Sequence, residues 1–246
     1  MGWLLVHTIR GTIPTYCWIS MCFFWLLGGT VLLGLVGWLV YASSTLSAQV
    51  YMPCQTRLAT QEPVVCLTYD DGPSGVSTAR VLRVLRNHGV RATFFCVGAQ
   101  ALLHRDQLQA MVRDGHGVGS HSFGHKWYFP LQSSSRIAAE LRATQRALEA
   151  VCGQHSTSFR PPFGVSNPPI ARAVRRVGLR PIGWTIRSFD TMYRSPARVV
   201  DRIVKRLCPG AIILLHDRLP QAAETTELLI EALHARGYRA VQLPVD

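Results

Sequence analysis

Two carboxylates stand side by side at Asp70-Asp71, behind the apolar run Val64-Val65-Cys66-Leu67 and ahead of the turn residues Gly72-Pro73. Like charges repel, so ionising both at the end of a buried strand is costly unless a metal or a cation offsets them. Asp-Gly-Pro also suits an ordinary turn, and the hexapeptide Thr68–Pro73 alone does not choose between turn and site. A second group lies further on, where His121-Ser122-Phe123-Gly124-His125 puts two imidazoles four residues apart. On a helix or at a strand end, such a spacing brings two nitrogens to one ion. With a carboxylate from Asp71 they make a two-histidine, one-carboxylate set that leaves positions for water and substrate.

These residues need elements to hold them. From about Pro63, short apolar runs alternate with segments of helical periodicity. The runs are Val64–Leu67, Thr93–Val97, Gly117–Ser120, Arg180–Trp184, Ala211–Leu215 and Tyr238–Leu243. The helical stretches are Thr78–Asn87, Ala99–Asp114, Ser134–Val151, Pro168–Val177, Pro196–Leu207 and Gln221–Ala235, several stopping at a glycine. This alternation predicts an α/β domain with a parallel sheet and helical crossovers. The polar residues fall at the ends of runs: Asp70 and Asp71, His121, Arg160 after Ser158-Phe159, Asp190 beyond Arg180–Trp184, and His216-Asp217. In parallel α/β sheets those ends share one face, where sites are built.

In this order the stretches resemble the motifs of the polysaccharide deacetylase family, also called the NodB-homology or carbohydrate esterase 4 family. Thr68–Pro73 is similar to its first motif, His121–His125 to its second, Arg160-Pro161-Pro162-Phe163-Gly164 to its third and Leu214–Asp217 to its fifth, across residues 63–246. The resemblance implies a distorted (β/α) TIM-like barrel and metal-dependent hydrolysis of N-acetyl groups on amino sugars. It implies Asp70 as general base, Asp71, His121 and His125 as ligands of a divalent ion (Zn2+, with Co2+ or Ni2+ as alternatives), and His216 as general acid tuned by Asp190. Arg160 would hold the base. Phe163, with a backbone N–H for the oxyanion, Leu214, lining an acetyl-methyl pocket, and Trp184 would contact substrate. Chemistry agrees with this division: a metal acidifies its water, a free carboxylate takes the proton, and the poor amine leaving group needs an acid.

The fourth motif departs from the pattern. Trp184–Thr191 keeps Asp190 but has Arg187 where an Asp often stands and Thr191 where a Trp often stands. Arg187 either favours a phosphorylated or acidic glycan or is a surface residue. Lys126-Trp127-Tyr128-Phe129 offers aromatic faces for a further groove wall. The metal-binding triad alone also fits a non-haem iron oxygenase, and the fold alone a non-catalytic glycan-binding module. Asp70 and His216 favour hydrolysis, of an N-acetylated glycan or a lipid-linked sugar, with deformylation as an alternative.

Ahead of this domain, residues 16–42 carry no charge and exceed the ~20 apolar residues that span a bilayer. They read as an uncleaved transmembrane anchor, longer than the ~7–15 apolar residues of a cleaved signal. Residues 1–15 form a short amino-terminal segment and 43–62 a linker. The domain is expected outside the inner (plasma) membrane, on the periplasmic or extracytoplasmic side. Arg10 is the only charge before residue 43, so +11 of the formal +12 lies beyond it, which draws the domain to anionic surfaces. No basic run interleaved with aromatics points to nucleic acid. Seven cysteines without a C-x-x-C pair exclude a zinc ribbon, and Cys54, Cys152 and Cys208 could include one disulfide.

Overall fold

The computed structural model describes residues 15–153 and 155–244, with side chains from residue 24 onwards. Arg10 and the amino-terminal segment before Thr15 lie outside the described residues. The chain forms two compact units, Met1–Tyr41 and Ala42–Asp246. In the first, helix α1 (Thr15–Ser44, its last three residues in the second unit) carries exposed Phe24, Trp25, Leu32, Leu33 and Trp38, among others. Phe24–Ser44 is long and apolar enough to cross a membrane, with a mean hydropathy of 1.8.

The second unit alternates strand and helix: β1 (Val64–Asp70), α2 (Val76–Asn87), β2 (Thr93–Cys96), α3 (Gly98–Leu103), α4 (Arg105–Arg113), β3 (Gly117–Ser120), α5 (Ser134–Cys152), β4 (Ser158–Phe159), α6 (Pro168–Val177), β5 (Arg180–Pro181), β6 (Ile186–Arg187), α7 (Pro196–Val204), β7 (Ala211–His216), α8 (Ala222–His234) and β8 (Arg239–Ala240). All strand pairs are parallel, in the order β5-β4-β3-β2-β1-β7-β6, with β8 on the start of β1. The α/β barrel expected from the sequence is thus present as an incompletely closed sheet. Three boundaries differ. The stretch 99–114 is two helices, because His104 leaves the helical region (φ −117°, ψ 50°). In the run 180–184 only Arg180–Pro181 is strand, with Ile182 in a single bridge to Gln55, and Asp190 follows a separate strand, β6.

Residues 43–62, expected as a linker, are built into this unit. Leu46, Met52 and Cys54 are buried against Ile170, Val174 and Phe159. The Gln55 N–H donates to Pro181 O (3.0 Å), the Gly183 N–H to Gln55 O (2.9 Å) and the Leu58 N–H to Gly210 O (2.8 Å). This segment fills the gap between the end of β5 and the start of β7. Its lack of periodicity is that of a chain crossing between strands, not of a solvated spacer.

Strand parity decides what the barrel presents to whom, because successive side chains point to opposite faces. On β1, Val65, Leu67 and Tyr69 pack outward with residues of α2 and α8. Cys66, Thr68 and Asp70 take the other parity, and Cys66 meets Phe95, Ile182 and Ile212 in an inner cluster. On β7, Ala211, Ile213 and Leu215 join the outer core. Ile212 goes to the inner cluster, and Leu214 and His216 to a cavity at the strand ends. Both faces are covered, so these strands read as continuous apolar runs. Cys54, Cys66, Cys96, Cys152 and Cys208 are all free thiols, so no disulfide joins the three candidates.

Candidate active site

The register of β1 on its neighbours assembles the site. Asp70 lies directly opposite His216 of β7, and Ser120 of β3 lies opposite Phe159 of β4, which sends the next residues, His121 and Arg160, out of the same edge. Arg160 is fully buried. Its Nη1 donates to Asp70 Oδ1 and Thr68 Oγ1 (both 2.8 Å), its Nη2 to Gly183 O (2.7 Å) and its Nε to Ile182 O (3.3 Å), over the Phe95 ring at 4.2 Å. A buried guanidinium is tolerable only when its donors are met this fully. One carboxylate of the pair is thereby fixed by a cation from behind.

Asp71 turns the other way, with φ at +78°. Its Oδ1 lies 3.5 Å from His121 Nε2 and 3.3 Å from His125 Nε2. One ligand atom from each of the three residues lies within 4.8 Å of the others. His121 Nδ1–H donates to Arg160 O at 2.8 Å, which leaves Nε2 as the lone pair aimed at the cluster. The His125 N–H donates to Ser122 Oγ. Burial works against ionising Asp71, yet hydrogen bonding and charge from His121, with His216 and Arg218, hold its carboxyl below the usual range. Burial and then the charge of His121 lower His125. A neutral imidazole at His125 and an ionised carboxylate at Asp71, with the His121 Nε2 facing them, are the states and atoms that ligate a divalent ion, so the donor set fits one.

On the opposite wall, His216 Nδ1–H donates to Asp190 Oδ1 (2.8 Å) and the His216 backbone N–H to Asp190 Oδ2 (2.7 Å). Burial disfavours the imidazolium, but the Asp190 bond and charge outweigh it and raise the His216 pKa. Asp217 points behind the Asp70-Asp71 turn, where Thr78 Oγ1 donates to its Oδ2 at 2.7 Å; burial pushes its carboxyl up to about 7.

These side chains surround a cavity of about 260 Å³ lined by Asp70, Asp71, His121, His125, His216, Phe163, Trp184, Leu214, Arg187, Thr191 and Arg218. The candidates taken from the motifs are all in or against it, Arg160 and Asp190 from behind. The 126–129 segment does not line it: Phe129 is buried in the core, and Trp127 and Tyr128 are exposed. Arg218, whose Nε donates to Asp71 Oδ2 at 2.6 Å, was not anticipated. Only its place directly after His216-Asp217 could have flagged it. Asp71, Ser122, His125, Phe163 and Phe189 all have positive φ, a concentration of backbone strain in or close in sequence to the residues lining the cavity that sequence does not reveal.

A parallel α/β barrel with a two-histidine, one-carboxylate cluster, a second carboxylate and a carboxylate-held histidine has the parts for metal-assisted hydrolysis. Residues 57–182 match the polysaccharide deacetylase family, and the chain belongs to it. It is 32% identical to the peptidoglycan-N-acetylglucosamine deacetylase PgdA of Listeria monocytogenes over 73% of this chain, spanning 38% of that protein's length. It is 32% identical to a chitooligosaccharide deacetylase of Sinorhizobium fredii over 79% of this chain and 96% of the other. The structure superposes with a TM-score of 0.71 on a CE4 family pseudoenzyme from Bacillus anthracis, at 26% identity over 76% of this chain and 66% of the other. Both catalysts and a pseudoenzyme are therefore among its relatives.

Proposed function

We propose that the protein is a metal-dependent amide hydrolase that removes N-acetyl groups from amino sugars of an envelope polysaccharide or lipid-linked glycan. The observation that carries this reading is the separation of the two adjacent carboxylates: Asp70 is held by Arg160 and Asp71 joins the two histidines. Asp71, His121 and His125 would hold a divalent ion, with Zn2+ suiting two imidazoles and a carboxylate best. When bound, the ion acidifies a water and polarises the amide carbonyl. Asp70, kept in place by Arg160, accepts the water's proton. His216, kept protonated by Asp190, gives a proton to the departing amine, without which the amide nitrogen leaves poorly. The Phe163 backbone N–H donates to the developing oxyanion, Leu214 lines the acetyl methyl and Trp184 walls the sugar.

Helix α1 would anchor this domain as a single-pass inner-membrane protein with the catalytic domain on the extracytoplasmic side, supported by the uncharged stretch Phe24–Ser44. The test is acid release from a panel of N-acetylated and N-formylated glycans, including undecaprenyl-linked sugars. Acetate should appear only with a divalent ion and stop on chelation; formate alone would replace deacetylation by deformylation. Release of neither acid under any metal condition would leave the protein a glycan-binding relative.

A further inference from the structure

The cavity carries more positive charge than the reaction uses. Arg160 is committed to Asp70, and Arg218 gives its Nε to Asp71. Arg187, on β6 opposite Leu214, has neither a carboxylate partner nor a hydrogen bond from its guanidinium among the described residues. Its guanidinium lies over the Phe189 ring at 4.9 Å and the Trp184 ring at 5.8 Å. Arg202 covers Phe189 at 4.3 Å and its Nε donates to Arg187 O at 3.3 Å. Phe189 itself is held at φ +58°. Two guanidinium groups on one strained phenyl ring, with no carboxylate between them, repel each other and gain only the modest attraction of the ring face. The Arg187 guanidinium lies on these rings at the cavity wall, with no protein acceptor for its donors among the described residues.

A planar guanidinium with free donors pairs bidentately with phosphate or carboxylate. A neutral amino sugar offers it only hydroxyls. Arg218 adds to the same field, more so when a divalent ion competes for Asp71. Resting on the deacetylase reading, we infer that the substrate is an anionic amino sugar, bearing a phosphate or carboxylate close to the acylated residue, and that Arg187, assisted by Arg218, selects it.

The experiment compares kcat/KM of the zinc-loaded full-length protein for three probes: N-acetylglucosamine 1-phosphate, N-acetylmuramic acid and N,N′-diacetylchitobiose. A charged probe should exceed the neutral one about tenfold or more, the better of the two naming the source of the anion. Arg187→Ala should reduce the charged-to-neutral ratio by about 10- to 100-fold, the effect of losing charge-assisted hydrogen bonds. Arg187→Lys should fall between, since it keeps the charge without the fork. Arg113→Ala, on the exposed face of α4, removes the same charge elsewhere and should leave the ratio alone. As a second readout, N-acetylglucosamine 1-phosphate binding to Asp70→Asn protein, followed by calorimetry, should weaken when Arg187→Ala is added. Equal turnover of charged and neutral probes, or a ratio indifferent to Arg187, overturns this inference and leaves the deacetylase reading intact. No acetate from any probe overturns both.

Discussion

Asp70 meets the buried guanidinium of Arg160, while Asp71, one peptide further on, faces two imidazoles and the exposed Arg218. Asp70→Asn preserves shape and removes the proposed proton acceptor. It should lower turnover by about 10²- to 10⁴-fold while leaving bound divalent metal, measured by elemental analysis, at the wild-type ratio. Full turnover in that variant would remove Asp70 from the role of base. His216 depends on its neighbour in a way that fixes a sign. Asp190 raises the His216 pKa, so the proposed acid stays protonated to higher pH. In Asp190→Asn the alkaline limb of the pH–kcat profile should move to lower pH, and turnover should fall most at the alkaline end. An unmoved limb would mean that another group supplies the proton.

At the level of elements, the turn after β1 is shaped by close approach. A side chain at Gly72 would start 2.0 Å from Asp217 Oδ2, in a spot already closed by Thr78. Gly72→Ala should therefore displace the loop that aims Asp71, costing about 1–3 kcal/mol of stability and weakening zinc affinity. Gly153→Ala is the comparison: its cost is that of a left-handed cap (φ +67°) alone, with nothing within 4 Å of the added carbon. Equal zinc affinity in the two variants would show that the turn does not position the ligand. Gly164 has the same tightness on the other rim, where a Cβ would meet Trp184 at 2.4 Å, and so brings Phe163 and Trp184 together at the cavity wall.

For the whole molecule, the boundary that matters lies at Tyr41–Ala42 and not at the first strand. A version starting at Ala42 should fold without detergent and keep its thermal transition. One starting at Ala59 loses Leu46, Met52 and Cys54 from the core and the backbone pairs of Gln55 and Leu58. Burying a side chain such as Met52 is worth about 1.5–3 kcal/mol, so this deletion should abolish the cooperative transition in circular dichroism. Retention of that transition would show the segment to be an accessory.

By itself, the sequence determined the parallel α/β class, the order of the helices and the chemistry-bearing residues. Each of these is local: periodicity, glycine stops, and polar residues at the ends of apolar runs such as Val64–Leu67 and Ile212–Leu215. It also supplied Arg187 as a departure from the family pattern. Tertiary structure decided what depends on strand register and on contacts between distant segments. Asp70 lies opposite His216 only because β1 and β7 pair in that register. The two-residue strand β6 is too short to carry a period, and residues 55–58 gain their place only by spanning two strands not yet formed in a linear reading. Arg218, its partner 147 positions away, is invisible to any pattern of spacing. Whether Arg187 was a solvated surface charge or a group held at the cavity rested on the rings beneath it, and only the fold brings those rings together.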